Sequence, residues 1–146
     1  MSQAQVIFRN FKINNLTYSV DENAEHLNSE SEQISYFVDN IKLSVDNDLT
    51  NVFVSARVMV HTTLSSDEKE KPVNYRKVEF DFLGRLSTEN ATTADELAKV
   101  MSCGGLHIAL AHVRDAVKGV TSVDDRKPIY IADRPFPVRV DMNKQD

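Results

Sequence analysis

Cys103 and His107 stand four residues apart in a stretch with helical spacing, so their side chains can meet on one helix face. A thiol beside an imidazole has two chemical uses. It can form a nucleophile, with the imidazole as the base that activates it, or it can supply two ligands of a metal. A zinc site needs further ligands, and only His112, His61 and His26 remain among the histidines. No Cys-x-x-Cys or His-Glu-x-x-His spacing is present. The simpler reading of Cys103 is a small buried hydrophobe in a helix interface. Asp124-Asp125 stands in a Thr/Ser/Asp loop beside Arg126 and Lys127, and Asp46 and Asp48 belong to a turn. Both pairs read as solvated turn residues. Gly104-Gly105 lies inside a helical pattern, not between a strand and a helix with a following lysine, so it is no phosphate loop. No Gly-x-Ser-x-Gly elbow occurs. The expectation is a protein that is not an enzyme, with no catalytic residue, no metal and no cofactor.

What remains is the chemistry of apolar surface. Phe53 and Met59 fall on the polar side of an alternating run, and Phe8, Phe11 and Phe37 have no evident place in one sheet core. Such residues can be scattered surface or a subunit interface. They can also line a shallow groove for extended peptide, a use that suits adaptable Met and Phe side chains.

The elements that must position these residues read as strands first and a helix after. From Asn51, Val52, Val54, Ala56, Val58 and Val60 alternate with Asn51, Ser55, Arg57 and His61. A period of two is that of a strand with one buried face. Ile41, Leu43 and Val45 alternate with Lys42 and Ser44, and Val78, Phe80 and Phe82 with Lys77, Glu79 and Asp81. These three runs predict an antiparallel meander. Its links are a turn at Asp46-Asn-Asp48 and an exposed charged loop from Ser65 to Pro72. The run from Val6 to Val20 is less tidy: Leu16, Tyr18 and Val20 alternate, whereas Ile7, Phe8, Phe11 and Ile13 fit no single face. Asp21 to Ser35, with five acidic residues and no lysine or arginine, reads as a surface crossover.

Thr93-Ala-Asp-Glu96 matches a capping box. Leu97, Val100, Met101, Gly104, Ile108, His112 and Ala116 then form one helical stripe, and Leu106, Leu110, Val113 and Val117 a second beside it. Gly119 is the expected stop, which makes Thr93 to Lys118 a helix of about 26 residues and roughly 39 Å. One sheet covers one stripe, so the other calls for a partner. Two glycines in mid-helix each cost about 1 kcal/mol relative to alanine. Either they break the helix into two, or they admit the close approach of a second backbone. The tail holds Pro128, Pro135 and Pro137 and reads as extended, with Pro137-Val-Arg-Val140 a candidate edge segment.

The whole has the dimensions of one domain over its 146 residues. A chain of this length buries roughly 68–70% of its unfolded surface and needs no disulfide or metal to fold. The net charge of −5 disfavours nucleic acid, since an acidic surface gains nothing from phosphate counterions. No segment reads as a signal peptide or a membrane helix. The lone cysteine fits a reducing compartment, so a soluble cytoplasmic protein is expected.

Strand, crossover, three-stranded meander, long helix and proline-containing tail together resemble the SecB-type export chaperones. Three stretches carry the resemblance: Phe11-Lys-Ile-Asn-Asn-Leu-Thr-Tyr18; Asp39 to Asp46 followed by Asn51 to Leu64; and Cys103 through Val120, with Arg114 in its middle. The resemblance implies an α+β fold, a four-stranded antiparallel sheet followed by one long helix and a short extended tail. It also implies a homo-oligomer, a dimer of dimers with helices packed between sheets. On this chain that places Met101, Gly104, Gly105 and Ile108 at the interface. The implied partners are unfolded or partner polypeptides, held without enzymatic activity, with Phe8, Phe37, Phe53 and Met59 as binding residues. Two departures stand out. Where the family docks the SecA motor through acidic residues, this chain has Asn15, Ser19 and Lys77, so SecA binding is not expected. The family's second helix is missing, since Arg134-Pro-Phe-Pro-Val-Arg-Val-Asp141 is not helical in pattern. SecB-like domains also serve as chaperones of toxin–antitoxin pairs, so an adaptor with one dedicated partner is the alternative. A small-molecule binder using the space between sheet and helix is a weaker third.

Overall fold

The computed structural model describes residues 3–26, 32–65 and 72–131, and residues 141–144 as backbone. Strand β1 spans Gln5–Val20, β2 Gln33–Val45, β3 Asn51–Leu64 and β4 Val73–Glu89. Helix α1, Ala94–Val100, passes through a wide turn, Met101–Gly105, into α2, Leu106–Thr121. A short strand β5, Asp141–Lys144, closes the order. The sheet runs β1-β4-β3-β2-β5, antiparallel except for β5, which pairs parallel to β2. The four-stranded antiparallel sheet and the long helical segment of the expected α+β fold are both present. The crossover at 27–31, the loop at 66–71 and the tail at 132–140, which includes the expected edge segment Pro137 to Val140, lie outside the described residues.

The alternation of the meander translates directly into burial. Along β3 every second residue from Val52 to Leu64 is buried, and the residues between are half-exposed. Val78, Phe80, Phe82 and Leu86 of β4 and Ile41, Leu43 and Val45 of β2 join the same face. Each such side chain, fully buried, contributes about 1.5–3 kcal/mol. The turn between β2 and β3 is held by Asp46. Its carboxylate accepts from the amides of Thr50 and Asn51 at 2.8 and 3.0 Å and from both side chains at 2.9 Å. Burial works to raise this carboxyl, but those hydrogen bonds outweigh it and hold it far below the usual carboxylate range.

β1 is untidy in sequence because it is bulged twice. Its register against β4 shifts between Phe8 and Asn10 and again between Asn14 and Thr17. Each extra residue reverses the parity of the strand beyond it. That is how Phe8, Phe11 and Ile13 come to share the helix side. At the second bulge Asn15 has φ 53°, a left-handed value that Asn tolerates better than most residues.

The helix differs from its expected form in two ways. Thr93 caps it as expected, accepting from the Glu96 amide at 3.2 Å. Gly104 then breaks it, with φ 153° and ψ −24°, values open to glycine and rare for other residues. A Cβ on Gly104 would touch nothing within 4 Å, whereas one on Gly105 would meet Met101 Sδ at 2.6 Å and Val6 Cγ2 at 3.1 Å. So the first glycine serves backbone conformation and the second lets the helix approach β1 of its own sheet. Neither requires a second molecule. The helix also runs past Gly119 to Thr121. The second stripe is covered within the chain itself, while the first leaves Ile108 48% exposed. Leu106, Leu110, Val113 and Val117 are all buried in the same core as Leu97, Met101 and Ala116. The chain after the helix supplies the missing flank. Ile129 and Ile131 enter this core, and the Ile129 amide donates to Thr121 Oγ1 at 2.8 Å.

Candidate functional site

The residues singled out from sequence do not converge. Phe8 lies on the helix side of the sheet, its ring stacked on His112 at 3.8 Å between centroids and 11° between planes. Phe37, Phe53 and Met59 lie on the opposite, outer face. Phe37 is directly across from Met59. Phe53 stands across from Ser44 and Arg85, six residues and about 20 Å along β3 from Met59. Of the residues placed at an oligomer interface, Met101 and Gly105 are buried within the chain itself, Gly104 is half-buried and Ile108 is exposed. Cys103 is exposed, not the buried hydrophobe expected. Among the described residues no group of three or more His, Cys, Asp or Glu side chains could hold a metal ion. No described helix is long and apolar enough to cross a membrane.

A concave apolar surface does exist, between β1 and the C-terminal half of α2. Phe11, Ile13, Leu16 and Tyr18 line it from the strand, and Ala116, Gly119, Val120 and Val123 from the helix and the residues after it. Its volume is about 590 Å³, and among the described residues that line it Asp115, on the rim, is the one charged group. Leu16 is 44% exposed and Val123 76% exposed, an apolar surface lying next to β1, which ends the sheet among the described residues. The second β1 bulge produces it by displacing Leu16 from the strand's regular alternation. The sequence signal was Asn14-Asn15 before Leu16, a pair suited to such an irregularity. Leu16, Val120 and Val123 are the residues that sequence reasoning missed.

The upper end of the groove is aromatic. Phe11 stacks on buried Phe82 at 5.4 Å and stands 6.4 Å from Phe8 and 6.0 Å from His112. The lower end is held by polar groups through Tyr18. Its hydroxyl donates to Asp124 at 3.1 Å and accepts from Arg76 at 3.4 Å. Burial pushes the Tyr18 hydroxyl up, against the effect of Arg76 and with that of Asp124. Arg76 holds Glu32 with two bonds, Nε to Oε2 at 2.8 Å and Nη2 to Oε1 at 2.6 Å, and donates to the Lys127 carbonyl at 2.9 Å. Asp124 is not a solvated turn residue. Burial would raise it, but Arg126, which donates at 2.8 Å, together with Tyr18 holds it below the usual range. Arg126 also grips Glu25 and reaches the Tyr75 hydroxyl at 3.2 Å. The network ties the crossover, β1, β4 and the chain after α2 to one another, and so sets where Val120 and Val123 stand relative to β1.

Asn15 and Lys77, two of the three positions at which SecA binding is not expected, are engaged on or beside the outer face, where Ser19 also lies. Asn15 donates to Asp81 at 2.6 Å, Lys77 pairs with Glu79 at 3.1 Å, and Ser19 is in register with Lys77.

No family model matches the chain, and no curated protein matches it significantly. Solved structures do. The Mycobacterium tuberculosis Rv1957 SecB-like chaperone, solved in complex with a ChAD peptide from the Rv1956 HigA1 antitoxin, aligns with a TM-score of 0.58 at 13% identity, over 92% of this chain and 94% of that one. A protein of unknown function from Streptococcus agalactiae aligns over 90% of this chain and 99% of its own, with 13% identity and a TM-score of 0.37. Element order, sheet topology and the Rv1957 alignment agree: this chain has the SecB-like fold.

Proposed function

We propose that the protein is a SecB-like, non-enzymatic polypeptide-binding protein that holds extended apolar segments in the groove between β1 and α2. The observation that carries this reading is the groove itself, large, apolar and open beside β1, the last strand of the sheet among the described residues. An extended segment laid there buries its side chains against Phe11, Leu16 and Val120. Phe8 borders the upper end; Phe37, Phe53 and Met59 belong to a different face. The fold likeness to a chaperone that holds an antitoxin peptide supports the same reading. It fits a dedicated partner as well as a range of unfolded clients. Tight SecA binding is not part of the proposal, given Asn15, Ser19 and Lys77. Assembly as a homo-oligomer, a dimer of dimers, is part of it, with Ile108 and Gly104 on the accessible side of the helix.

Gly119 offers a clean test. A Cβ there meets nothing within 4 Å, and the residue lies in a helix, where most other residues are better formers. Gly119→Leu therefore fills the groove without crowding the core. Binding of a reduced, alkylated and so permanently unfolded protein, followed by fluorescence anisotropy, is expected to weaken at least tenfold, with an unchanged or higher melting temperature. Gly119→Ala should bind nearly as wild type. Unweakened binding by the leucine variant would show that clients sit elsewhere. Prevention of aggregation of several unrelated proteins marks a general holdase; binding of a single native partner marks an adaptor.

A further inference from the structure

The lower end of the groove stands on a carboxylate that serves both of its walls. Val123 lies past the end of α2 at Thr121, so the helix no longer fixes it. Asp124, the next residue, does. Its Oδ2 accepts from the Tyr18 hydroxyl on the β1 wall at 3.1 Å and from Arg126 Nη1 at 2.8 Å, and its Oδ1 accepts from the Arg126 amide at 3.2 Å. Asp124 and Arg126 belong to one short segment, so their contact travels with it and anchors nothing by itself. Arg126 finds its fixed point elsewhere. Its Nε donates to Glu25 Oε1 at 2.8 Å, and Nη2 donates to the same oxygen. Nε also reaches the Tyr75 hydroxyl at 3.2 Å, and Glu22 stands 3.8 Å from Nη2. Glu25 rides on the short helical turn Glu22–His26, which buried Ala24 pins against Leu64 and Tyr75. Among the described residues that line the groove, none is Glu25, Asp124 or Arg126.

We propose that the Glu25–Arg126 ion pair is the positioning contact of this groove and makes its hold on a client fall as salt rises. The pair does not touch the bound segment. Through Asp124 it holds Val123 and Tyr18 at the spacing that segment needs. The proposal rests on the reading that clients occupy the groove. Exposure sets the size of the effect. Glu25 has 41% and Arg126 23% of its side chain exposed, and ion pairs this open supply about three- to fivefold in an equilibrium. Counterions reach such a pair and screen it. Apolar burial has no charge to screen, and excluded salts such as sulfate strengthen it. A loss of affinity with salt toward an uncharged segment therefore reports the ion pair and not the apolar contact. Arg76, which donates to the Lys127 carbonyl at 2.9 Å, keeps the segment attached when the pair is gone. Its loss loosens the wall without unfolding the chain.

The probe is a capped, uncharged peptide of alternating leucine and serine carrying a neutral dye, its binding read by fluorescence anisotropy. At about 0.05 M potassium chloride, Glu25→Ala should bind it about three- to fivefold more weakly than wild type. By about 0.5 M the wild type should fall to the variant's level, while the variant changes little. Glu25→Gln, the same shape without the charge, should behave as the alanine variant does. A second readout needs no client. The amides of Arg126 and Ile129, both hydrogen-bonded in this segment, should exchange faster in Glu25→Ala, and those of β3 should not. Wild-type binding that ignores salt overturns the proposal, as does faster exchange with unweakened binding. Gly119→Leu on the same probe separates these failures from failure of the groove. If the leucine weakens binding, the groove stands and the ion pair alone has lost its role. If neither variant weakens binding, clients sit elsewhere and both readings fall.

Discussion

Replacing Glu32 with alanine is expected to cost the fold about 3–5 kcal/mol, the usual result of removing one partner of a buried ion pair. The Arg76 side chain is 2% exposed, and Glu32 answers it with both carboxylate oxygens. Without Glu32 the guanidinium keeps, among the described residues, the Tyr18 hydroxyl at 3.4 Å, the Lys127 carbonyl at 2.9 Å and the face of the Tyr75 ring at 5.5 Å. Neutral groups of this kind do not repay the desolvation of a full charge. In a chain of this size such a loss lowers the melting temperature by roughly 10 °C. Changing both partners together, Glu32→Leu with Arg76→Met, should recover most of it, because apolar side chains of similar volume carry no buried charge. Urea denaturation of the three proteins measures this directly. A Glu32→Ala variant within about 1 kcal/mol of wild type would mean that water reaches Arg76.

The second large effect is expected at Phe82. Its ring is 1% exposed on the sheet's inner face, and Phe11, at the upper end of the groove, stacks on it. Phe82→Ala should destabilise by about 3–5 kcal/mol through lost burial and the cavity left behind. It should also weaken polypeptide binding at temperatures where the variant is still folded, because Phe11 then loses the ring on which it stacks. Phe82→Leu, closer in volume, should restore much of the stability and less of the binding. Equal recovery of both would show that Phe82 serves the core alone.

How much of this was legible in the sequence varies by element. β3 and the middle of β4 could be read almost residue by residue, because an unbulged strand converts alternation into burial with no other information. β1 could not, since its bulges at Arg9 and at Asn15-Leu16 change parity twice within sixteen residues. The groove depends on the second of those bulges, and so it was hidden with it. The helix was visible from its cap and stripes, but the role of its glycines was not. Spacing alone cannot tell a backbone angle at Gly104 from a close approach at Gly105. Ile129 and Ile131, which join the core that buries the second stripe, stand in a segment without periodicity. Asp124 looked like a turn residue because its partners, Tyr18 and Arg126, are recognisable only after folding.

The strand order has a kinetic consequence. β2, β3 and β4 are neighbours in both chain and sheet, so they close through short loops. β1 pairs with β4, joining Gln5 to Glu89 and Val20 to Arg76, and that closure carries the larger entropic cost. The topology predicts that the meander zips first and β1 docks last, with the helix. During synthesis β1 leaves the ribosome first and must wait for its neighbour, its Phe8, Phe11 and Leu16 in water meanwhile. The groove is therefore the latest part of the molecule to exist, and a nascent chain is itself an unfolded apolar segment of the kind the mature protein would bind. Pulse-labelled hydrogen exchange during refolding should show β1 amides gaining protection after those of β3; simultaneous protection would mean that the sheet forms in one step.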